Sequence, residues 1–440
     1  MIGGACIFIG LQFVRPSIPS SPPSTEVQVP PAVGNILTKD CYSCHSNEKR
    51  LAWFDQVVPA YWLVRSDVLT AREHLNFSIL GAKPAAAQKA ALYEAANMIQ
   101  LGAMPPPRFS RLHPEARVSP EDLTVLKNYL NPWRPDLPAT TTMTANNPVN
   151  LATVPPESNG EHLDSEFENW QLISSTDRGD NNTFRFVLGN EIAMHAAQSG
   201  QISPWPDGSR LAKIAWQQEM GTDGLVHAGK FVQVELMTKD SHRYRLTKGW
   251  GWGRWRGVDL KPYGADAHFV NECTSCHLPM RGDDYVYTLP ISAASSDKNE
   301  LLNQRAAALP QSLPYQPLRW RPITMYVNPQ SRTTAILFGN DKAQEAVRAA
   351  HDSGGEVTPH YSSGAVLALL TWQQREDPHW FGARIPDKPL SIEFVTTTSP
   401  GEKTTYSCFQ GASLAQNHTN TDWNAERVRL ILGLAPAPLP

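Results

Sequence analysis

Two kinds of hydrophobic spacing divide the chain. Between about residues 59 and 130, apolar side chains recur at helical intervals. Tyr61, Leu63, Val64 and Val68 are spaced for one face of a helix from about Pro59 to Leu75. An alanine-rich helix is predicted from about Ala85 to Leu101, stopping at Gly102 as a C-cap. Ser119-Pro120-Glu121-Asp122 opens a third, with serine as N-cap and proline at the first helical position. Beyond residue 166 the pattern shortens to that of strands: Thr183–Leu188, Leu211–Trp216 and Phe231–Met237, with one helix at Glu191–Ala197. The predicted class is α+β multidomain: an all-α domain, then antiparallel sheet.

The polar stretches between these blocks set the boundaries. Residues 1–34 combine a short apolar start with a Pro/Ser-rich tether. Residues 35–135 hold the helical domain, and the Pro/Thr/Asn-rich 136–164 reads as a linker. The first sheet domain covers 165–300. A second, 318–435, is a degenerate copy of it. Trp170 and Gly189-Asn190 are spaced as Trp320 and Gly339-Asn340, and Trp216 and Glu235 align with Trp372 and Glu393.

Composition narrows the class. A net charge of −3 with no basic run excludes nucleic acid as a partner. The apolar start, Met1 to Val14, is too short to span a bilayer and lacks a basic leading segment. It reads as the end of a longer signal-anchor, so an N-terminal membrane anchor is expected.

Four of the six cysteines stand in two C-x-x-C-H runs, Cys41-Tyr42-Ser43-Cys44-His45 and Cys273-Thr274-Ser275-Cys276-His277. This is the attachment pattern of a c-type haem: two thiols for two vinyl groups, then a histidine placed as proximal iron ligand. A structural zinc site is the alternative, but zinc does not need a histidine after each second cysteine. Two covalently bound haems c are therefore expected. Cys408 reads as a buried strand cysteine. Met104, in Gly102-Ala103-Met104-Pro105-Pro106, is the candidate second ligand of the first iron, with His74 and His113 as rivals. The metal ligands are thus His45, Met104 and His277. No Met-Pro loop follows His277, so the sixth position of its iron can stay open.

The degenerate copy singles out further residues. It has no C-x-x-C-H run, and it matches Lys213 with Leu369 and Arg185 with Ala335. Where the haem is missing, the lysine and arginine are missing too, which points to Lys213 and Arg185 as haem-pocket groups. Leu211, Lys213 and Ala215 share one strand face; Ala212, Ile214 and Trp216 share the other. Both faces are apolar, so a lysine there needs a special reason. Glu235 lies in the apolar run Val232–Met237, where a raised pKa would suit a base. Its recurrence as Glu393 suits a structural role instead. Trp250, Trp252 and Trp255 read as pocket wall and core.

Two resemblances follow from these residues. The run Cys41 to Glu48, His74-Leu75-Asn76-Phe77-Ser78 and Gly102–Pro105 make the first 135 residues resemble a bacterial haem-binding domain. Phe186–Asn190, Pro206–Lys213, Gly229–Glu235, Gly249–Trp255 and Cys273–His277 make residues 165–290 resemble cytochrome P-460. That resemblance implies a five-coordinate c-haem cross-linked by a lysine, here Lys213, and oxidation of hydroxylamine. The implied catalytic set is Lys213 with Glu235 and Arg185. Relatives lacking the lysine, the cytochromes c′-beta, bind nitric oxide, so a gas-binding cytochrome is the alternative. A peroxidase-like diheme protein is a third reading. The expected partners are a small nitrogenous substrate or gas ligand and a soluble electron acceptor such as a cytochrome c. Covalent haem attachment in bacteria occurs outside the cytoplasm, so the expected location is the periplasm. The haem-free copy is read as a built-in partner, a pseudo-dimer within one chain, with a homodimer as the other option.

Overall fold

The computed structural model describes residues 2–131, 137–138, 149–293, 300–353, 358–398, 404–417 and 421–440. They form two compact units, residues 1–135 and 136–440.

The first unit is helical. The predicted helices are Ala60–His74, Ala85–Gln100 and Pro120–Leu130. Ser119 Oγ accepts from the Asp122 backbone N at 3.0 Å, and Gly102 takes φ +69° after the second helix. The first helix buries Tyr61 and Val68. Leu63, read onto the same face, is instead 67% exposed. Two residues along a helix turn a side chain about 200°, away from Tyr61. The stretch read as a tether also differs, because it runs along this unit. Ile18 and Val27 are buried, Tyr61 Oη donates to the Pro16 carbonyl at 2.5 Å, and Thr25 N donates to Ser78 O at 3.1 Å. A segment with few free N–H groups can still pack when its carbonyls accept from neighbouring side chains. A helix, Ile2–Leu11, opens the unit. Among the described residues no helix is long and apolar enough to cross a membrane.

The second unit is an antiparallel sheet closed on itself. Its strands are β1 (Gln171–Arg178), β2 (Thr183–Gly189), β3 (Arg210–Met220), β4 (Val226–Lys239), β5 (Trp250–Arg256) and β6 (Lys261–Pro262). The copy supplies β7 (Arg321–Asn328), β8 (Thr333–Gly339), β9 (Val366–Asp377), β10 (Trp380–Thr396), β11 (Thr405–Gln410) and β12 (Ala415–Asn417). Each copy forms a meander of four strands. The two meanders join where β4 pairs β7 and again where β10 pairs β1. The copies, expected as separate domains, therefore share one barrel. At the two junctions an end strand of one meander pairs with an end strand of the other, while β5–β6 and β11–β12 branch off at β4 and β10.

The repeat holds bond by bond. Asn190 Oδ1 accepts from the N–H groups of Ala193 and Arg210 at 3.0 and 3.1 Å, and Asn340 Oδ1 accepts from those of Ala343 and Val366 at 3.0 Å each. Each asparagine thereby caps a helix, Glu191–Ser199 or Asp341–Asp352, and ties it to the next strand. A Cβ at Gly189 would lie 2.6 Å from Ile173 Cδ1; at Gly339 it would lie 2.8 Å from Ile323 Cδ1. Ala212, Ile214, Trp216, Val234 and Leu236 join Ala368, Leu370, Trp372, Ile392 and Phe394 in one shared cluster within the barrel. Leu211 faces the other way, into a second cluster that contains Cys273. The period-two alternation read along β3 thus separates barrel core from haem-run side.

Candidate haem sites

The second C-x-x-C-H run ends the helix Val270–His277, which lies on the outer cluster of Ile173, Val187, Leu211, Trp250, Trp252 and Cys273. His277 Nδ1 donates to the Tyr285 carbonyl at 2.7 Å, leaving Nε2 as the nitrogen for a metal. Burial is the main cause that lowers the His277 pKa to about 4, so the imidazole is neutral, the form that binds iron. Trp252 and Tyr287 flank the ring at centroid distances of 4.6 and 5.1 Å.

Charge gathers beside it. In the sheet register Lys213 stands between Val187 and Glu235, and Glu235 stands between Lys213 and Arg254. Lys213 Nζ pairs with Glu235 Oε2, and Arg254 Nε lies 3.2 Å from Glu235 Oε1. Gln233 Nε2 also donates to that oxygen. Arg185 is half-buried, and its buried Nε has no hydrogen-bond partner among the described residues. Burial, then Arg178, bring its guanidinium down to about 10. Burial likewise lowers Lys213, with Glu235 opposing and Arg185 reinforcing, to about 8.

Glu235 corrects an expectation. Its apolar sequence run predicts a raised pKa. Burial does push it up, but Lys213, then Arg254, outweigh burial and hold the carboxyl near 2. The carboxylate stays ionised and is a weak base. The cations responsible come from neighbouring strands, which the local sequence does not reveal.

The residues fit a haem. Lys213, Arg185 and Arg254 outnumber the carboxylates Glu235 and Glu272 beside them, a positive surplus that suits a haem propionate, and Arg185 has an orphaned buried N–H. The apolar cluster suits the macrocycle, and Cys273, Cys276 and His277 stand at attachment spacing. Arg254 completes this group, and sequence reasoning missed it. Its signal was the lone charge in the Gly249–Trp255 run.

The copy shows what the same position becomes without the run. Leu369 stands between Leu337 and Glu393, and Ala335 lies opposite Tyr326. The correspondences Lys213/Leu369 and Arg185/Ala335 are therefore those of the sheet register. Glu393 is paired instead by Arg427, at 2.6 and 2.7 Å, and by Tyr406 Oη at 2.7 Å. Cys408 is buried on β11.

In the first unit, Cys41, Cys44 and His45 lie at the end of a helical stretch starting at Pro31. His45 Nδ1 donates to the Leu75 carbonyl at 2.9 Å, so both C-x-x-C-H histidines are oriented alike. Both His113 nitrogens are taken, Nε2 by Asp55 at 3.0 Å and Nδ1 by Glu115 at 3.3 Å, which removes it as a rival ligand. His74 is exposed at the end of its helix. Met104 follows the helix Ala85–Gln100 with its N–H bonded to Met98 O at 3.0 Å, and its side chain is 38% exposed. Among the described residues no three His, Cys, Asp or Glu side chains gather as a metal cage.

The family model of a haem-binding domain matches residues 6–132, and that of cytochrome P460 matches residues 164–288. No curated protein matches the chain. The first match contains Cys41, Cys44, His45 and Met104. The second contains Arg185, Lys213, Glu235, Arg254 and Cys273 to His277.

Proposed function

From the two family matches, one to a haem-binding domain and one to cytochrome P460, we propose that this chain oxidises hydroxylamine, or a related small nitrogen compound, beside His277 and delivers the electrons by way of the His45 domain. Cys273 and Cys276 would hold a haem by its vinyl groups and His277 would ligate its iron, which would supply the redox centre; Cys41, Cys44, His45 and Met104 would hold a second haem as the outlet. The observation that carries this reading is Lys213. A half-buried lysine paired with Glu235 stands in the copy that has the haem run, and leucine stands at the same register in the copy without it.

The side chains divide the work. Lys213, brought to about 8, holds part of its population as neutral amine near neutral pH, the reactive form for the tether that the family resemblance implies. Glu235, ionised and fixed by Lys213 and Arg254, accepts hydrogen bonds from the N–H or O–H of a substrate and orients it. Water takes the released protons, because a carboxyl near 2 holds them poorly. Arg185 compensates propionate or ligand charge. Trp252 and the outer apolar cluster keep bulk water away from the reacting atoms. The acceptor is a soluble redox protein such as a cytochrome c, and the location is the periplasm.

The test is steady-state oxidation of hydroxylamine with a dye acceptor. The wild-type chain turns over and Lys213→Leu does not. A wild-type chain with no turnover above the background of Lys213→Leu would remove the enzyme assignment, and nitric oxide binding without turnover would favour the gas-binding cytochrome.

A further inference from the structure

The turn between β9 and β10 belongs to the haem-free copy, yet it lies against the His277 site. His379 Nδ1 is 2.7 Å from the carbonyl oxygen of Tyr287, and a carbonyl can only accept, so Nδ1 carries the proton. The turn is held by the His379 N–H, which donates to Asp377 Oδ1 at 2.8 Å. Trp380 meets the Tyr287 ring edge-on, at 5.5 Å and 71°. The Arg178 guanidinium lies over Trp380 at 4.2 Å, anchored by buried Asp180. Tyr287 in turn meets the His277 ring edge-on, at 5.1 Å and 77°, and its hydroxyl donates to the Cys276 carbonyl at 2.7 Å.

A continuous set of contacts therefore runs from the second copy to the axial imidazole: His379 and Trp380 to Tyr287, then Tyr287 to His277 and Cys276. The exchange is reciprocal. The corresponding turn of the first copy carries Leu225 into the apolar cluster of the second, and His227 lies 5.9 Å from Tyr326. Groups that fix the orientation of a metal-bound histidine tune the metal almost as strongly as the ligand itself.

We propose that the haem-free copy is a working part of the His277 site, and that His379 and Trp380 are positioning residues which set the orientation of His277 through Tyr287. This rests on the reading of His277 as an iron ligand. On it, the duplication has kept its second copy for what its β9–β10 turn contributes across the barrel, not for a haem of its own.

The experiment uses the full haem-loaded chain and reads the iron–histidine stretch of the ferrous protein by resonance Raman, with hydroxylamine turnover as a second readout. His379→Ala and Trp380→Leu are expected to keep haem on Cys273 and Cys276 but to shift or broaden that band. Turnover should fall roughly 10- to 100-fold, the usual cost of losing an outer-shell partner. His379→Asn should restore the band, because its amide nitrogen overlays Nδ1 and can donate to the Tyr287 carbonyl. Tyr287→Phe, which keeps the ring and loses only the bond to Cys276, should give a smaller shift; it serves if His379→Ala folds poorly. An unchanged band in all of these variants at full haem content would overturn the proposal while leaving the haem reading intact. A wild-type chain without haem at Cys273 and Cys276 would overturn both.

Discussion

Glu235 decides the electrostatics at the scale of single residues. Lys213 and Arg254 both lean on it, and Arg185 adds a third positive charge to its surroundings. Removing one partner of a buried ion pair leaves the other uncompensated, at a cost of about 3–5 kcal/mol. Glu235→Gln is therefore expected to lower the unfolding free energy of the haem-free chain by an amount in that range, seen as a lower denaturant midpoint. The pH dependence has a definite sign. The folded pKa, near 2, lies below the ordinary 4.5, so this carboxylate contributes stability that is complete above pH 4.5 and lost as pH falls towards 2. Lys213 acts in the opposite sense. Its pKa falls from 10.5 to about 8, so the unfolded chain binds more protons between those values, and stability rises with pH across that window. Urea titrations of the haem-free chain at several pH values check both. Lys213→Leu should lack the alkaline rise, and Glu235→Gln should lack its share of the acid loss.

Among the elements, two helices occupy related places with different contents. The haem-run helix Val270–His277 lies on the outer face of the first copy, against Val187 and Leu211. In the second copy the C-terminal helix Thr421–Gly433 lies over Leu337, Leu369 and Val395, and Ile431 packs among them. Arg427 on that helix supplies the charge that Glu393 needs, and the carboxylate it meets is only 7% exposed. Arg427→Ala should cost about 3–5 kcal/mol in denaturation of the second unit, with the haem spectra unchanged. A changed spectrum at the His277 site would contradict the separation of the two pockets. Much of this was legible in the chain. Alternation along β3 separates Leu211 from Ala212 and Ile214, and the repeat in the sequence aligns Lys213 with Leu369. The partners of the two glutamates were not legible. Arg254 reaches Glu235 only through the pairing of β4 with β5, and Arg427 comes from a helix 34 residues beyond Glu393. The Tyr287–His379 contact spans 92 residues and two copies, beyond what local pattern can report.

At the scale of the whole chain, residues 136–440 depend on closure. The strand pairs β1–β10 and β4–β7 join the copies, and the C-terminal segment seals the barrel. Pro438 O accepts from Trp216 Nε1 at 2.6 Å, and Ala437 N donates to Ile323 O at 2.9 Å. Calorimetry of the intact chain should show one transition for each compact unit. Deleting residues 434–440 should lower only the transition of the second, since a buried indole N–H loses its acceptor and the core loses Ala437. A third transition would mean that the copies unfold independently. The proposed hydroxylamine oxidation requires Lys213 to face a haem held by Cys273 and Cys276. The most direct check is mass spectrometry of proteolytic haem peptides from the haem-loaded wild-type chain. The account predicts one species in which haem links the Cys273–His277 peptide to the peptide bearing Lys213. Recovery of the Lys213 peptide unmodified would contradict it.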